Sequence, residues 1–434
     1  MSFPERTTVL IVGAGPAGMA AAMSLHHQGI HDFVVVDANY RGVNASRAVI
    51  IHAATLEALN NVGCLDEILA LGNKIDKLGL HDGSTYLLSA DFALLDQYTK
   101  FPFALIIPQA HTEIKMAERL DNIGIKVWRP YKVVSVKPSQ AEDESFDVHF
   151  ESGESIRAKY VIGADGAHSV IRNEAGIAFE DPDGNVKHEY GNLTHMAFGD
   201  VTFTTPPRLF SPEKPVSLTI SGGNMLLVAP LPAATFPDSP TTVYRLSTSV
   251  PVEVGSAPPN PGADFFQSFI DRHGPPELSS DPAINPIPSR VDKIYASSRY
   301  RTRSAVAERY FVRKPGGGVI LLIGDAAHIH SPFAGQGMSL GIRDAIGLGP
   351  ILKAHMESAE PQTSDQLFED WGANRYKRAI AVIGLTKNAM GILNAQHKMW
   401  PPLLKLAFAV LRFFGHLTSV RRAVAYKLSG LAEV

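Results

Sequence analysis

Three short stretches of the 434-residue chain combine glycines with a single acid. Gly13-Ala14-Gly15-Pro16-Ala17-Gly18 has the spacing G-x-G-x-x-G, and Asp37 stands at the end of the next apolar run. In this pattern the first glycine allows a tight turn. The second lets the backbone approach a pyrophosphate, and the third lets a helix pack on its strand. The phosphates rest on open N–H groups at the helix N-terminus, and an acid placed like Asp37 takes the ribose hydroxyls of an adenosine. The stretch therefore reads as a dinucleotide site, without deciding between NAD and FAD. Its other reading is a glycine-rich turn with no ligand. "YVIGADGAHSVIR" (160–172) sets Gly163, Asp165 and Gly166 behind a second apolar run, and "LLIGDAAHIHSPFAGQGMSL" (321–340) sets Gly324 and Asp325 behind a third. An ionised carboxylate accepts several O–H bonds at once, which suits a polyol. The same acids could equally cap a helix or close a turn.

The elements that must hold these residues are legible from pattern. Thr8 to Val12 is a continuously apolar strand, Met19 to Gln28 carries Ala, Met and Leu at helical spacing, and Phe33 to Val36 is a second buried strand. That is βαβ, the start of a parallel sheet covered on both faces. Helical segments are expected around 54–71, and a strand meander leads into the middle motif. From about 179 to 300, Pro and Gly become dense between strand-like runs such as "HMAFGDVTF" and "TTVYRLSTSV". The fold class expected is α/β: a Rossmann-like cofactor domain with a parallel sheet (1–75, 106–178 and 301–395), interleaved with an antiparallel β-sheet substrate domain (76–105 and 179–300). A C-terminal helical segment follows (396–434).

Composition narrows the classes. The formal net charge of −3 argues against a nucleic-acid partner. The single cysteine, Cys64, permits no intramolecular disulfide and suits a reducing, cytoplasmic setting. The N-terminal stretch has no basic region followed by a long apolar core, so no secretory signal is expected. No uninterrupted apolar run reaches the roughly 18 residues of a membrane span.

The three motifs, in this order, resemble the single-component FAD-dependent aromatic hydroxylases, the para-hydroxybenzoate hydroxylase-like flavoprotein monooxygenases. The resemblance runs from about residue 7 to 390 and is carried by "GAGPAG", "GADGAHSVIR" and "GDAAHIHSPFAGQGMSLGIRDA", with "SRYRTRSAVAERY" ahead of the third. It implies FAD as cofactor and NADPH or NADH as co-substrate. Gly13, Gly15, Pro16, Ala17 and Gly18 would hold the pyrophosphate, with Asp37 on the adenosine ribose. Arg47 matches an arginine that meets the flavin phosphates, and Gln109 a glutamine that contacts the cofactor. Asp165 is associated with both FAD and NAD(P)H. Asp325, behind Gly324, would bind the ribityl or ribose hydroxyls. Gly335, Gln336, Gly337 and Met338 would turn backbone N–H groups toward the pyrimidine edge of the ring, where negative charge collects on reduction. Pro332 and Phe333 would lie beside the ring near substrate, though Phe333 reads equally as core.

The implied reaction is hydroxylation of an aromatic or polyketide-like small molecule by O2 through a C4a-hydroperoxyflavin. Epoxidation, Baeyer–Villiger insertion or reduction on the same scaffold stays open, and the protein could be a monomer or a homodimer. Trp128, Trp371 and Trp400 cannot form the W-x-W-x-I-P segment of same-fold halogenases. No protein nucleophile is expected. A base assisting a phenol cannot be placed; His188, Tyr190, His195, Tyr244 and Arg245 are candidates by location only. His328 and His330 invite a metal reading but lack a third ligand, so no metal site is expected. The chain departs from the family at Ala54, where an arginine is common, and at Ser339, where an asparagine is. Residues 400–434 are apolar and basic. They read either as a membrane-surface helix or as a helix pair packed on the substrate domain or a second copy, with Leu403, Leu404, Phe408, Leu411 and Phe414 on one face.

Overall fold

The computed structural model describes residues 2–40, 48–140, 144–184, 191–210, 215–358, 363–396 and 399–433. The strand Arg6–Val12 lies at the centre of the first sheet, between Ser155–Gly163 and Phe33–Val36. Val319–Leu322 adds outside Ser155–Gly163, and Val127–Trp128 outside Phe33–Val36. All four of these junctions are parallel. Phe311–Arg313 closes one edge antiparallel, and the pair Val133–Pro138 and Phe146–Phe150 adds antiparallel to Ser155–Gly163. Both faces of the central strands are covered, which explains runs such as Val9 to Val12 with no polar alternation.

Register brings the motifs together. Val12 stands opposite both Gly163 and Val36, and Gly163 opposite Leu322. The chain therefore leaves the sheet at one level at four neighbouring points, into Gly13, Asp37, Ala164 and Ile323. Backbone bonds continue the ladder into those turns: Gly13 N–H donates to Val36 O at 2.8 Å, Ala164 N–H to Val12 O at 2.8 Å and Ile323 N–H to Gly163 O at 3.0 Å. The carboxyl edge of such a sheet is where open α/β folds bind ligands.

Two helices lie side by side on this sheet, Pro16–His27 and Gly337–Met356. Small residues permit the approach. A Cβ on Gly341 would meet Ala17 Cβ at 3.5 Å, and one on Gly349 would come within 2.3 Å of Ser24 Oγ. Ser24 Oγ–H also donates to Ile346 O at 2.8 Å.

The second sheet has seven strands, in the order Val291–Arg301, His195–Phe203, Tyr244–Ser249, Asn224–Pro230, Ser217–Ser221, Lys77–Asp82 and Thr85–Asp91. All its junctions are antiparallel except Ser217–Ser221 with Lys77–Asp82. One face packs against the helix Ala263–His273, through Phe266, Phe269 and Ile270. The Pro- and Gly-rich texture of this region gave no sign of that helix. The other face carries Met196, Phe198, Ile220 and Met225 in one apolar cluster with Phe333 of the third motif, Met390 and Leu393 of the helix Gln366–Ala395, and Phe408 and Leu411. The fold is thus a mixed α/β protein with one largely parallel sheet, antiparallel sheets and C-terminal helices.

The helices Pro401–Gly415 and Thr418–Leu428 pack on the edge strand Thr85–Asp91. Gly415 sits so close that a Cβ there would meet Leu87 O at 2.2 Å. Leu404, Phe408 and Leu411 face the protein, while Leu403 and Phe414 are exposed. The expected grouping of those five residues on one face is therefore corrected. A helix apolar on most of its circumference does not reveal in sequence which stripe is inside.

Candidate cofactor site

The site is built from the turns at the carboxyl edge of the parallel sheet. Gly13 adopts φ +103°, a conformation that side chains rarely take, and a Cβ there would meet Ala164 O at 2.3 Å. A Cβ on Gly18 would meet Gly13 O at 1.8 Å. Gly15 is different: nothing lies within 4 Å of the place its Cβ would occupy. Two glycines are thus demanded by the protein's own packing, and the middle one opens onto free space at the start of the helix Pro16–His27. Pro16 occupies the first helical position, where the missing N–H costs nothing. An anion set against Gly15 would meet the helix N-terminus directly.

Asp37 anchors this turn. Its Oδ2 accepts Ala14 N–H at 2.7 Å, and its Oδ1 accepts Asn39 N–H at 2.8 Å. Arg129, a residue the sequence did not single out, stands 3.8 Å from Asp37 Oδ1 and donates to Ala14 O at 3.3 Å. Asp325 lies exposed behind Gly324, at the end of Val319–Leu322, two strands across from Arg6–Val12. A carboxylate at each side of the Gly15 opening suits the hydroxyls of a ribose or ribityl chain.

Asp165 is more occupied. Ser169 Oγ–H donates to its Oδ1 at 2.5 Å, and the N–H groups of Val170 and Ile171 donate to Oδ2 at 2.7 and 3.1 Å. It closes the start of the helix Val170–Ala175 together with the cap Ser169, whose Oγ accepts Arg172 N–H at 2.9 Å. Burial pushes the Asp165 carboxyl above the usual range, partly offset by these bonds. Arg172, from the same motif, donates to Ala326 O at 3.0 Å and so ties the middle motif to the third.

The third motif turns through Gly335 (φ +61°) into the helix Gly337–Met356. Gly335 N–H is used by Pro332 O at 2.9 Å. The first intrahelical bond is Leu340 N–H to Gln336 O at 2.8 Å, so the N–H groups of Gly337, Met338 and Ser339 precede the ladder. The Gln336 side chain points elsewhere, and its Nε2–H donates to Leu428 O at 2.5 Å. Arg343 donates to Gly430 O at 3.0 Å and Ala54 N–H to Ser429 O at 3.1 Å. Residues 428–430 are thereby clamped against the third motif. Ala54, where the family often has arginine, is the buried position that receives this segment. Gln109 begins the helix Gln109–Asn122 and brackets Ala48, donating N–H to its O at 2.9 Å and accepting its N–H at 3.3 Å. Arg47, His188 and Tyr190 lie outside the described residues.

His328 and His330 are both buried. His328 Nε2 is 2.6 Å from Asp344 Oδ2, which pins the motif loop to the following helix. Asp344 lies within the motif as quoted, yet nothing in the sequence assigned it a partner. His330 donates Nδ1–H to Ser331 O at 2.8 Å, and burial pushes its imidazole down to about 4. Pro332 and Phe333 are half-buried, and Phe333 joins the apolar cluster of the second sheet. Of the base candidates, Tyr244 packs on the far face against Phe203 and Phe210. Arg245 is buried on the strand beside Asp200 and holds it with Nε and Nη2, the latter at 3.1 Å.

The comparisons with known proteins bear on this geometry. The FAD binding domain family matches residues 6–222 and 266–384. The chain belongs to the para-hydroxybenzoate hydroxylase-like, FAD-dependent aromatic hydroxylases. An uncharacterized aromatic compound monooxygenase of Bacillus subtilis (strain 168) is 30% identical over 380 residues, covering 87% of this chain and 66% of that protein. The 12-dehydrotetracycline 5-monooxygenase/anhydrotetracycline 6-monooxygenase of Streptomyces rimosus is 28% identical, covering 98% of this chain and 76% of its own length. The chain thus spans about two thirds to three quarters of these relatives. Among solved structures, p-nitrophenol 4-monooxygenase from Pseudomonas putida DLL-E4 shares the fold, with a TM-score of 0.75 at 22% identity over 98% of this chain and 99% of that one. The open Gly15, the unladdered N–H groups at Gly337–Ser339 and the edge carboxylates fit FAD.

Proposed function

We propose that this protein is an FAD- and NAD(P)H-dependent monooxygenase that places one atom of O2 on an aromatic or polyketide-like small molecule. The observation that carries the reading is the convergence of three glycine–acid turns on one sheet edge, with free space at Gly15 between the packed Gly13 and Gly18. Bound FAD would supply the redox and oxygen-transfer chemistry.

The chain's own contribution is binding, orientation and exclusion of water. Gly15 and the N-terminus of Pro16–His27 take the pyrophosphate. Asp37 and Asp325 take sugar-like hydroxyls. The N–H groups ahead of Leu340 would meet the electron-rich edge of the flavin ring and would stabilise charge there. Phe333 and the apolar face with Met196, Phe198, Ile220 and Met225 exclude water and seat an apolar ring system. Relatives named for aromatic and tetracycline-type substrates support that substrate class.

The test is a screen of phenols and aromatic polyketides for acceleration of NADPH oxidation, followed by mass spectrometry of the product under isotopically labelled O2. One labelled oxygen in the product supports the reading. Substrate-independent oxidation ending in hydrogen peroxide, with every compound tried, sinks it.

A further inference from the structure

The outer side of the helix Pro401–Gly415 is an apolar stripe turned to solvent. Leu403, Leu406, Val410 and Phe413 recur at steps of three and four, and all are exposed, Leu406 at 60% and Phe413 at 68%. Trp400 stands exposed at its head. On the opposite side, Phe408 and Leu411 are spent on packing against the protein. A helix in a soluble protein ordinarily leaves polar residues on its outer side, and a contiguous exposed apolar row marks a contact surface.

The charge around the row selects the partner. Residues 400–428 contain five basic side chains, Lys405, Arg412, Arg421, Arg422 and Lys427, and no Asp or Glu. Lys405 and Arg412 directly precede Leu406 and Phe413, about 100° around the helix from them, so they flank the stripe. A second copy meeting this face across a two-fold axis would set cations against cations. An anionic lipid surface meets the same face with opposite charge, and its headgroup layer suits Trp400.

The anchoring of the pair decides how it would lie. The two helices meet at 93°. Arg421 pairs with Asp91 of the edge strand, and Tyr86 Oη–H donates to Gly415 O at 3.3 Å. Among the described residues no single helix is long and apolar enough to cross a membrane. We propose that Trp400 to Gly415 forms an interfacial helix that seats this protein on an anionic bilayer, with the Leu403–Phe413 stripe at the acyl boundary and Lys405 and Arg412 at the headgroups.

Flotation of the full chain with vesicles of phosphatidylcholine, with and without roughly a third phosphatidylserine, tests this. The expected result is roughly tenfold more protein with the anionic vesicles. Leu406→Ser/Phe413→Ser and Lys405→Glu/Arg412→Glu should each remove most of that gain while the purified protein keeps its flavin content. Equal recovery on both vesicles, or flotation that survives the stripe variant, overturns the proposal. So does a dimer in light scattering that the stripe variant dissolves, because the face would then belong to a second copy.

Discussion

At the carboxyl edge of the parallel sheet the backbone shapes the proposed cofactor seat. Gly13, Gly15 and Gly18 contribute the room that an absent side chain leaves, and Gly337 to Ser339 contribute N–H groups. On the inner face of the antiparallel sheet the proposed substrate wall is made of side chains. Met196, Phe198, Ile220 and Met225 make an apolar wall, and the buried Asp200–Arg245 pair crosses two strands of the same sheet. A backbone site tolerates few residue types at each position and is spoiled by a single methyl group. A side-chain wall tolerates exchange among shapes of similar volume, so one cofactor seat can serve many substrates.

The sharpest way to break this contrast is at the glycines. Gly18→Ala drives a methyl into Gly13 O, with only backbone to yield. The expected outcome is protein without flavin and with a collapsed thermal transition. Gly15→Ala meets nothing in the protein. It should keep the melting temperature of the apoprotein while FAD affinity, measured by fluorescence titration, falls at least about tenfold. Equal FAD affinity in that variant would mean that the pyrophosphate lies elsewhere.

On the side-chain wall, Asp200→Ala leaves Arg245 buried without its charge partner and should cost about 3–5 kcal/mol in urea unfolding. The double variant Asp200→Ala/Arg245→Met should recover most of that loss. A single variant of wild-type stability would show that water reaches the pair.

His330 joins the two regions, because it lies in the third motif and its carbonyl accepts Tyr300 Oη–H of the second sheet at 3.4 Å. Its folded imidazole titrates near 4, well below the ordinary 6.5. Between these values the unfolded chain holds a proton that the folded chain refuses, so stability falls as pH drops from about 6.5 to about 4 and is flat above. The loss approaches about 3 kcal/mol for this group. The His330→Leu variant should show a shallower acid limb in pH-dependent urea midpoints. Smallest is Gln336→Ala, which removes the bond to Leu428 O and the long one from Arg343 Nη2, and should cost about 1 kcal/mol. Faster amide exchange confined to residues 428–431 would report it.

The same contrast explains what the sequence disclosed. Gly13, Asp37, Gly163 and Gly324 follow apolar runs at fixed spacing, so the turns, their order and the parallel sheet could be read directly. Asp344 sat unassigned within a recognised motif because its partner His328 is fixed by how a loop folds back. Asp200 and Arg245 are 45 positions apart and meet only through strand register. The helix Ala263–His273 was hidden by the Pro-rich segments around it. Leu403 and Phe414 were grouped with the buried face because hydrophobicity alone does not tell inside from outside.

The contacts of residues 428–430 set an order of events during synthesis. The turn at Gly13 leaves the ribosome early, but the helix N-terminus expected to face the same ligand lies more than three hundred residues later. Thr55 reaches Ser339 across 284 positions, and Arg343 is held by Gly430, 87 positions further on. Contacts of such separation form late. The contacts that clamp the third motif therefore form last, only once Gly430 is free of the exit tunnel.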